Sequence, residues 1–319
     1  MKISKVLITG GLGYIGGRIA SYLKQTEPSI DILLTTRRSD KKSLPLWTKD
    51  FTVLTMSLLD NDSVADCLKD NGIDTIIHLA ALNEIDSMRD VELAIKINTL
   101  ATHRLLQAAH IHNIKRFIYF STFHVYDKSS PIITENTPTR SSHPYAITHR
   151  AAEDFVQYHK HYHNMKTLII RLSNAFGYPM DKDIDRWTLV FNDLCKQAVI
   201  TNKLTLKSSG KQHRDFISLH DVARAVRHFM FVIPDMWGDG LFNLGGNNNM
   251  SIIEVAERIS ESYRDKYGTL PLSIFKGNDD RDTDTKFVYK IDKLLKTGFT
   301  LNGDMKTEIF KTMEICEGL

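Results

Sequence analysis

Two segments of the chain carry side chains suited to proton chemistry. Phe120-Ser121-Thr122-Phe123-His124-Val125-Tyr126 ends an apolar run, and His143-Pro144-Tyr145-Ala146-Ile147-Thr148-His149 follows further along. Pro144 suits a first helical turn. That places Tyr145 and His149 one turn apart on one helix face. A hydroxyl at a strand end and a phenol on a helix can converge on one carbonyl or alcohol oxygen. Taken singly each is bland, because Ser and Thr often end strands and Tyr is often half-buried. A third segment is Leu7-Ile8-Thr9-Gly10-Gly11-Leu12-Gly13-Tyr14-Ile15-Gly16-Gly17. Its glycines let a backbone turn tightly and approach a pyrophosphate, and a following helix offers free N–H groups to that anion.

These segments need a scaffold, and the chain supplies one. Apolar runs at 6–9, 30–35, 51–56, 75–79, 116–120 and 167–172 read as strands. Amphipathic stretches near 14–26, 61–71, 90–112 and 144–163 read as helices. Such alternation predicts a parallel sheet covered on both faces, with ligands at the carboxyl ends of its strands. After the second strand come Arg37 and Arg38, with small hydroxyl residues and no acid. A carboxylate there would hold the ribose of NAD, whereas an arginine accommodates the 2′-phosphate of NADP. NADP is therefore expected, with NAD the alternative if both arginines face solvent. After the third strand, Asp60 reads as a helix N-cap. After the fourth, the small residues Ala80 and Ala81 allow close approach of backbone to a ligand, and His78 reads as a hydrogen-bonded core histidine.

Together these features resemble the extended short-chain dehydrogenase/reductase family of nucleotide-sugar epimerases, dehydratases and ketoreductases. Thr9 to Gly16 matches the TGGxGxIG motif, and His78–Ala81 matches HLAA. Thr122 stands where the catalytic Ser or Thr precedes Val-Tyr. Tyr145 begins the YxxxK motif, although His149 occupies the lysine position. Arg171 to Gly177 resembles R-x-x-N-x-x-G, Arg214 to Ala223 resembles R-D-[FY]-I…D-[VL]-A, and Asn243 to Glu254 resembles N-x-G…S-x-x-E.

The resemblance implies a Rossmann-like, doubly wound α/β domain over 1–175. A smaller mixed α/β substrate lobe over 176–319 follows, with some exchange of elements between them. It implies cofactor contacts from Gly10, Gly13, Tyr14, Ile15 and Gly16 at the first turn, and from Arg37 and Arg38 after the second strand. Further contacts come from Leu58 after the third, from Leu79, Ala80 and Ala81 after the fourth, and from Ser121 after the fifth. Asn98 on a long helix, Tyr145 and His149 complete that set. Asn174, Arg214 and Arg281 are implied for the nucleotide-sugar substrate, and Thr122, Tyr145 and His149 for catalysis.

In the family, Tyr is the acid or base on a sugar hydroxyl, a nicotinamide carbon exchanges hydride, and the lysine binds ribose and lowers the Tyr pKa. His149 can still bond a ribose, but an imidazole is not dependably charged. Three readings follow: an NADPH-dependent 4-ketoreductase, an NAD-dependent 4-epimerase, and a catalytically weak binder. A dehydratase is disfavoured, because the family's dehydratases carry Asp-Glu where this chain has Phe123-His124.

Bulk properties narrow the class. Lys and Arg number 41 against 38 Asp and Glu, and the net charge of +3 does not by itself point to nucleic acid. Three scattered cysteines form no disulfide framework or CxxC. No apolar run suggests a signal peptide or membrane span. A cytoplasmic homodimer without metal is expected, the dimer being a family expectation. His159, His161 and His163 read as a solvated polar face, Trp187, Phe191 and Phe229 as core, and 306–315 as a helix.

Overall fold

A computed structural model describes residues 3–38, 40, 44–127, 129–184, 186–277 and 286–319. The chain forms two compact units. The first comprises Met1–Asp127, Glu135–Leu172 and Val226–Asn243, and the second Lys128–Thr134, Ser173–Ala225 and Leu244–Leu319.

The first unit is built on strands β1 (Lys5–Thr9), β2 (Asp31–Thr36), β3 (Thr52–Thr55), β4 (Thr75–His78) and β5 (Arg116–Thr122). After the two-residue β6 (Ile132–Ile133) of the second unit comes β7 (Lys166–Leu172), which joins the same sheet. Past β8 (Asn174–Phe176), β9 (Lys203–Thr205) and β10 (His213–Ser218), strand β11 (Leu241–Leu244) completes it. The sheet order is β11-β7-β5-β4-β1-β2-β3, and β3 through β7 in that row pair in parallel. The central strands are buried almost throughout, as parallel strands covered on both faces are. Connections leave β1 toward β2 and β3, then reverse toward β4, β5 and β7. The reversal puts a topological switch point between the carboxyl ends of β1 and β4.

Helices α1 (Tyr14–Thr26), α2 (Asn61–Leu68), α3 (Glu84–Arg89), α4 (Val91–Ala94), α5 (Thr102–Ile111) and α6 (Pro144–His163) belong to this unit. A π-helical stretch, Ile95–Ala101, joins α4 to α5. The periodicities thus locate six of seven strands. Two corrections follow. Strand β5 runs through Ser121 and Thr122, beyond the expected 116–120, because these residues pair with Arg171 and Leu172 of β7. Strand β11 is absent from the sequence reading, since a four-residue edge strand carries little periodic signal. Asp60 does cap α2, its carboxylate accepting the Asp62 and Ser63 N–H groups.

The second unit holds a three-stranded sheet, in which β8 runs parallel to β10, and β10 antiparallel to β12 (Asn249–Ser251). Helices α7 (Val190–Thr201), α8 (Leu219–Arg227), α9 (Ile252–Tyr267), α10 (Asp292–Leu295) and α11 (Met305–Cys316) accompany it. Its core gathers Phe176, Phe191, Phe216, Ile259 and Met313, with Trp187 packed against it. Phe229 is buried in the first unit.

One buried ion pair ties β5, α6 and β7 together. Glu153 accepts hydrogen bonds from Ser121 Oγ (2.5 Å) and from Arg171 Nε (2.9 Å) and Nη2 (2.6 Å). Glu153 and Arg171 are 2% and 4% exposed. Removing one member of such a pair strands the other charge in the interior. Glu153→Ala is therefore expected to lower unfolding stability by about 3–5 kcal/mol, and Glu153→Gln by less, read from urea midpoints. Wild-type stability in Glu153→Ala would show that Arg171 has another route to compensation.

Candidate active site

The glycine turn bridges β1 and α1 at the switch point. Gly10 has φ +67°, a left-handed conformation that suits glycine. Its carbonyl accepts the Gly13 N–H at 2.9 Å, closing a tight turn before α1. A Cβ on Gly10 would lie 3.0 Å from Ala80 N and 3.1 Å from Ala80 Cα. A Cβ on Gly16 would collide with the Gly10 carbonyl and lie 2.8 Å from Gly11 Cα. The backbone thus forms a cradle at the α1 N-terminus, whose first turn has no acidic residue and whose cap, Gly13, offers no side chain. This cradle fits a pyrophosphate. Tyr14 is buried, while Ile15 and Leu79 are half-buried.

His78 serves the scaffold. Thr102 Oγ1 donates to the Asn98 carbonyl (2.8 Å), so it accepts from His78 Nε2 at 3.0 Å. His78 Nδ1 then accepts the Thr9 hydroxyl at 2.6 Å, and Thr9 Oγ1 receives the Leu79 and Ala80 N–H groups. Every ring proton is accounted for with a neutral imidazole, and burial pushes the His78 pKa down to about 3.

The proton-bearing residues are set by two matched repeats. Residues 119 and 121 share a face of β5. Residues 145, 149 and 153 share a face of α6 at one-turn intervals. Two residues of strand rise by about 6.6 Å and four of helix by about 6 Å, so the rows keep step. The rungs are Tyr119–His149, at 2.7 Å between Oη and Nδ1, and Ser121–Glu153. Burial holds the Tyr119 phenol well above its ordinary pKa, so it keeps its proton. Its one hydrogen-bond partner among the described residues is His149. The phenol donates to Nδ1 or Nδ1–H donates to the phenol oxygen, and each arrangement leaves one proton without a partner among the described residues. His149 is 2% exposed, and Nε2 is buried without a partner among the described residues. Burial, reinforced by His124 and only partly opposed by Glu84, pushes the His149 pKa down to about 3. At neutral pH the lysine position therefore carries an uncharged imidazole.

Tyr145 stands in the first turn of α6, whose cap is His143 Nδ1, accepting the Tyr145 N–H at 3.2 Å. Its ring lies 4.5 Å from that of His149, edge to face. Thr122 ends β5, and its Oγ1 accepts the His124 N–H at 3.2 Å, which opens a single helical turn over 123–125. On the other side of Tyr145 lies His124, with ring centroids 6.3 Å apart. His124 Nε2 is 2.7 Å from Glu84 Oε1, the first residue of α3.

The remaining residues divide by what their polar groups do. Arg37 and Arg38 are exposed after β2, the strand beside β1. Leu58 packs against the core of the first unit, and Ala81 is exposed. Asn98, in the π stretch, accepts the Leu82 N–H at 2.7 Å and donates to Thr148 Oγ1 at 3.1 Å, so it holds the chain after β4 in place. The Ser121 hydroxyl is engaged by Glu153.

In the second unit, Asn174 Nδ2 donates to the Asp215 carbonyl at 2.9 Å, and its Oδ1 has no partner among the described residues. Arg214 Nη2 donates to Gln212 Oε1 at 2.8 Å. Arg281 lies outside the described residues. Ser251 and Glu254 form a capping box at the start of α9. The 159–163 histidines require a correction. His159 is buried, with neither ring nitrogen hydrogen-bonded, and burial followed by neighbouring His163, His103 and His110 pushes its pKa to about 4. It packs 5.8 Å from the His103 ring and 4.8 Å from His163, so only His161 faces solvent fully. Among the described residues no three His, Cys, Asp or Glu side chains group as metal ligands.

Known proteins were compared against this geometry. The model of the NAD dependent epimerase/dehydratase family matches residues 6–245. The chain belongs to that family. It is 27% identical to the human dTDP-D-glucose 4,6-dehydratase, over 97% of this chain and 89% of that protein. An uncharacterised UDP-glucose epimerase of Bacillus subtilis is 28% identical over 81% of each. The fold is also that of a Thermus thermophilus UDP-glucose 4-epimerase crystallised with NAD, at a TM-score of 0.82, 20% identity and coverage of 98% and 99%. In this family member the lysine position is a buried imidazole, and its hydrogen-bond partner is a tyrosine from β5.

Tyr119, Glu153 and Glu84 escaped the sequence reading. Alternation along β5, set against the four-residue interval 149–153, could have revealed the first two. Glu84 is far from His124 in sequence, and only the packing of α3 brings it near. The glycine cradle yields a direct expectation. Gly16→Ala forces a methyl against backbone that has nowhere to go. It should cost about 1–3 kcal/mol in unfolding experiments and weaken nicotinamide-dinucleotide binding in a fluorescence titration. Unaltered affinity and stability would mean that the turn can open.

Proposed function

We propose that this chain is an NADPH-dependent reductase of a nucleoside-diphosphate 4-keto sugar, in which Tyr145 donates the proton and Thr122 bonds the same oxygen. The observation that carries this reading is the buried, neutral His149 beside Tyr145. Without a fixed ammonium nearby, the phenol is not drawn toward its anion. A phenol that keeps its proton is poorly disposed to act as a base on an alcohol and well disposed to act as an acid toward a carbonyl oxygen.

The residues fit the nucleotide at two points, the Gly10–Gly16 cradle and the unpartnered His149 Nε2, which can share a hydrogen bond with a ribose hydroxyl in either tautomer. When bound, the nicotinamide would supply the hydride. Exposed Arg37 and Arg38, with no carboxylate after β2, support NADP through guanidinium contacts to a 2′-phosphate. Asn174, Arg214 and Arg281 are assigned to the sugar nucleotide on their motif positions, and Asn174 has an acceptor free for it. A homodimer through the helices near 90–112 and 144–163 fits the exposed Ile95, Phe155 and Tyr162.

An NAD-dependent 4-epimerase is the second reading, supported by the epimerase name of the Bacillus relative. The two differ in bookkeeping of the cofactor: a reductase consumes NADPH in step with keto sugar, and an epimerase interconverts sugars with none consumed. Tyr145→Phe is expected to lower turnover about 10²–10⁴-fold while the variant still binds NADP(H). Full turnover in that variant would dismiss the acid role. His149→Lys adds an ammonium that lowers the phenol pKa, so alcohol oxidation, the reverse direction, should extend to lower pH. Replacing both Arg37 and Arg38 by Ala should weaken NADP more than NAD in parallel titrations. Equal loss for both would remove the basis for NADP preference.

A further inference from the structure

Tyr145 is flanked by two imidazoles with opposite settings. His149 is sealed in the interior, its Nδ1 engaged by Tyr119 and its pKa depressed to about 3. It neither carries a charge at neutral pH nor exchanges protons readily with solvent. His124 lies on the other side, its ring 6.3 Å from that of Tyr145 and its side chain 26% exposed. The Glu84 carboxylate, 47% exposed, is 2.7 Å from its Nε2. A carboxylate at that distance favours the imidazolium form. Glu84 from α3 and Tyr145 and His149 from α6 are titratable groups that face His124.

We propose that the His124–Glu84 pair is a second acid group of this site, reprotonating from solvent the Tyr145 phenolate left by proton donation. This rests on the reading of Tyr145 as proton donor. The ketone gains one hydride at carbon and one proton at oxygen and becomes an alcohol. That proton comes from the Tyr145 hydroxyl. The phenolate then takes a proton from the His124 imidazolium, directly or through one water, and the neutral imidazole takes one from solvent. Glu84 stays ionised throughout. The pair thus supplies, from the solvent side, the proton that the sealed His149 cannot.

The pair can be tested in the NADP⁺-loaded protein without any sugar. In ¹³C-histidine-labelled protein the His124 ring signal, assigned by its loss in His124→Gln, should titrate above about pH 6.5. Glu84→Gln should lower that midpoint by about one unit, since a unit is the scale of a single nearby charge. A His124 ring that is neutral across about pH 6–8 overturns the proposal whatever the substrate.

Turnover with NADPH and UDP-4-keto-6-deoxyglucose supplies the second readout. The protonated pair is the working form, so wild-type reduction should fall as pH rises through the His124 midpoint. Glu84→Gln should move that fall to lower pH. His124→Gln should slow reduction at least ~10-fold and abolish the fall. A structural role alone would slow the variants without moving the profile, and an unmoved profile overturns the proposal. Tyr145→Phe separates the two ideas. If it reduces the probe like wild type, the donor reading fails. If it is inactive and the His124 variants behave as wild type, only the pair's role fails.

Discussion

The buried Glu153–Arg171 pair sets the position on which the rest of the site depends. An ion pair in the interior costs desolvation, and its value lies less in net stability than in geometry that tolerates no sliding. Glu153 takes two hydrogen bonds from a β7 guanidinium and one from a β5 hydroxyl. A register shift of α6 along the sheet would break all three. Arg171 is held in turn against the Tyr126 ring, at 4.6 Å from its centroid, and the Tyr126 hydroxyl donates to Asn243 of β11 at 2.6 Å. The edge strand is thereby joined to the same anchor.

With Glu153 fixed, one helical turn back along α6 places His149 opposite Tyr119, and the next brings Tyr145 beside His149. The charge state of the site follows from this packing. The position that holds a lysine in the family motif is taken by a ring too deeply buried to be protonated. The imidazole with access to water, His124, is the one that has a carboxylate beside it. Two side chains of one type thus acquire different chemistry from their surroundings.

Several motif residues turn out to hold backbone. The Asp215 carboxylate accepts the Ser173 hydroxyl at 2.6 Å and the N–H groups of Gly246 and Asn248 at 2.9 and 3.1 Å. Burial raises its pKa and these hydrogen bonds oppose the rise. Asp221 does comparable work by accepting the Asn302 and Gly303 N–H groups. The glycines at 245 and 246 are needed because a Cβ on either would strike Asp215 or the Phe216 carbonyl. Recurrence of such residues in a motif is explained by turn geometry without any ligand.

Local patterning was enough to locate most of the first sheet, its helices and the glycine turn, because strand and helix periods and capping residues act over a few positions. Asp60 and the His78 core role were legible for the same reason. The same short range explains what was not legible. Strand β11 returns to the sheet from far along the chain. His159 looks solvated by its polar neighbours in sequence yet is covered by His103 of α5. The substitution of His149 for lysine was plain to read, but its neutrality depends first on burial and then on the nearby His124 ring, both set by packing. The pairing of His124 with Glu84 likewise arises where α3 meets the end of β5. Protonation states answer to burial and to charges within a few ångströms, and those are properties of packing, which a linear pattern of residues does not contain.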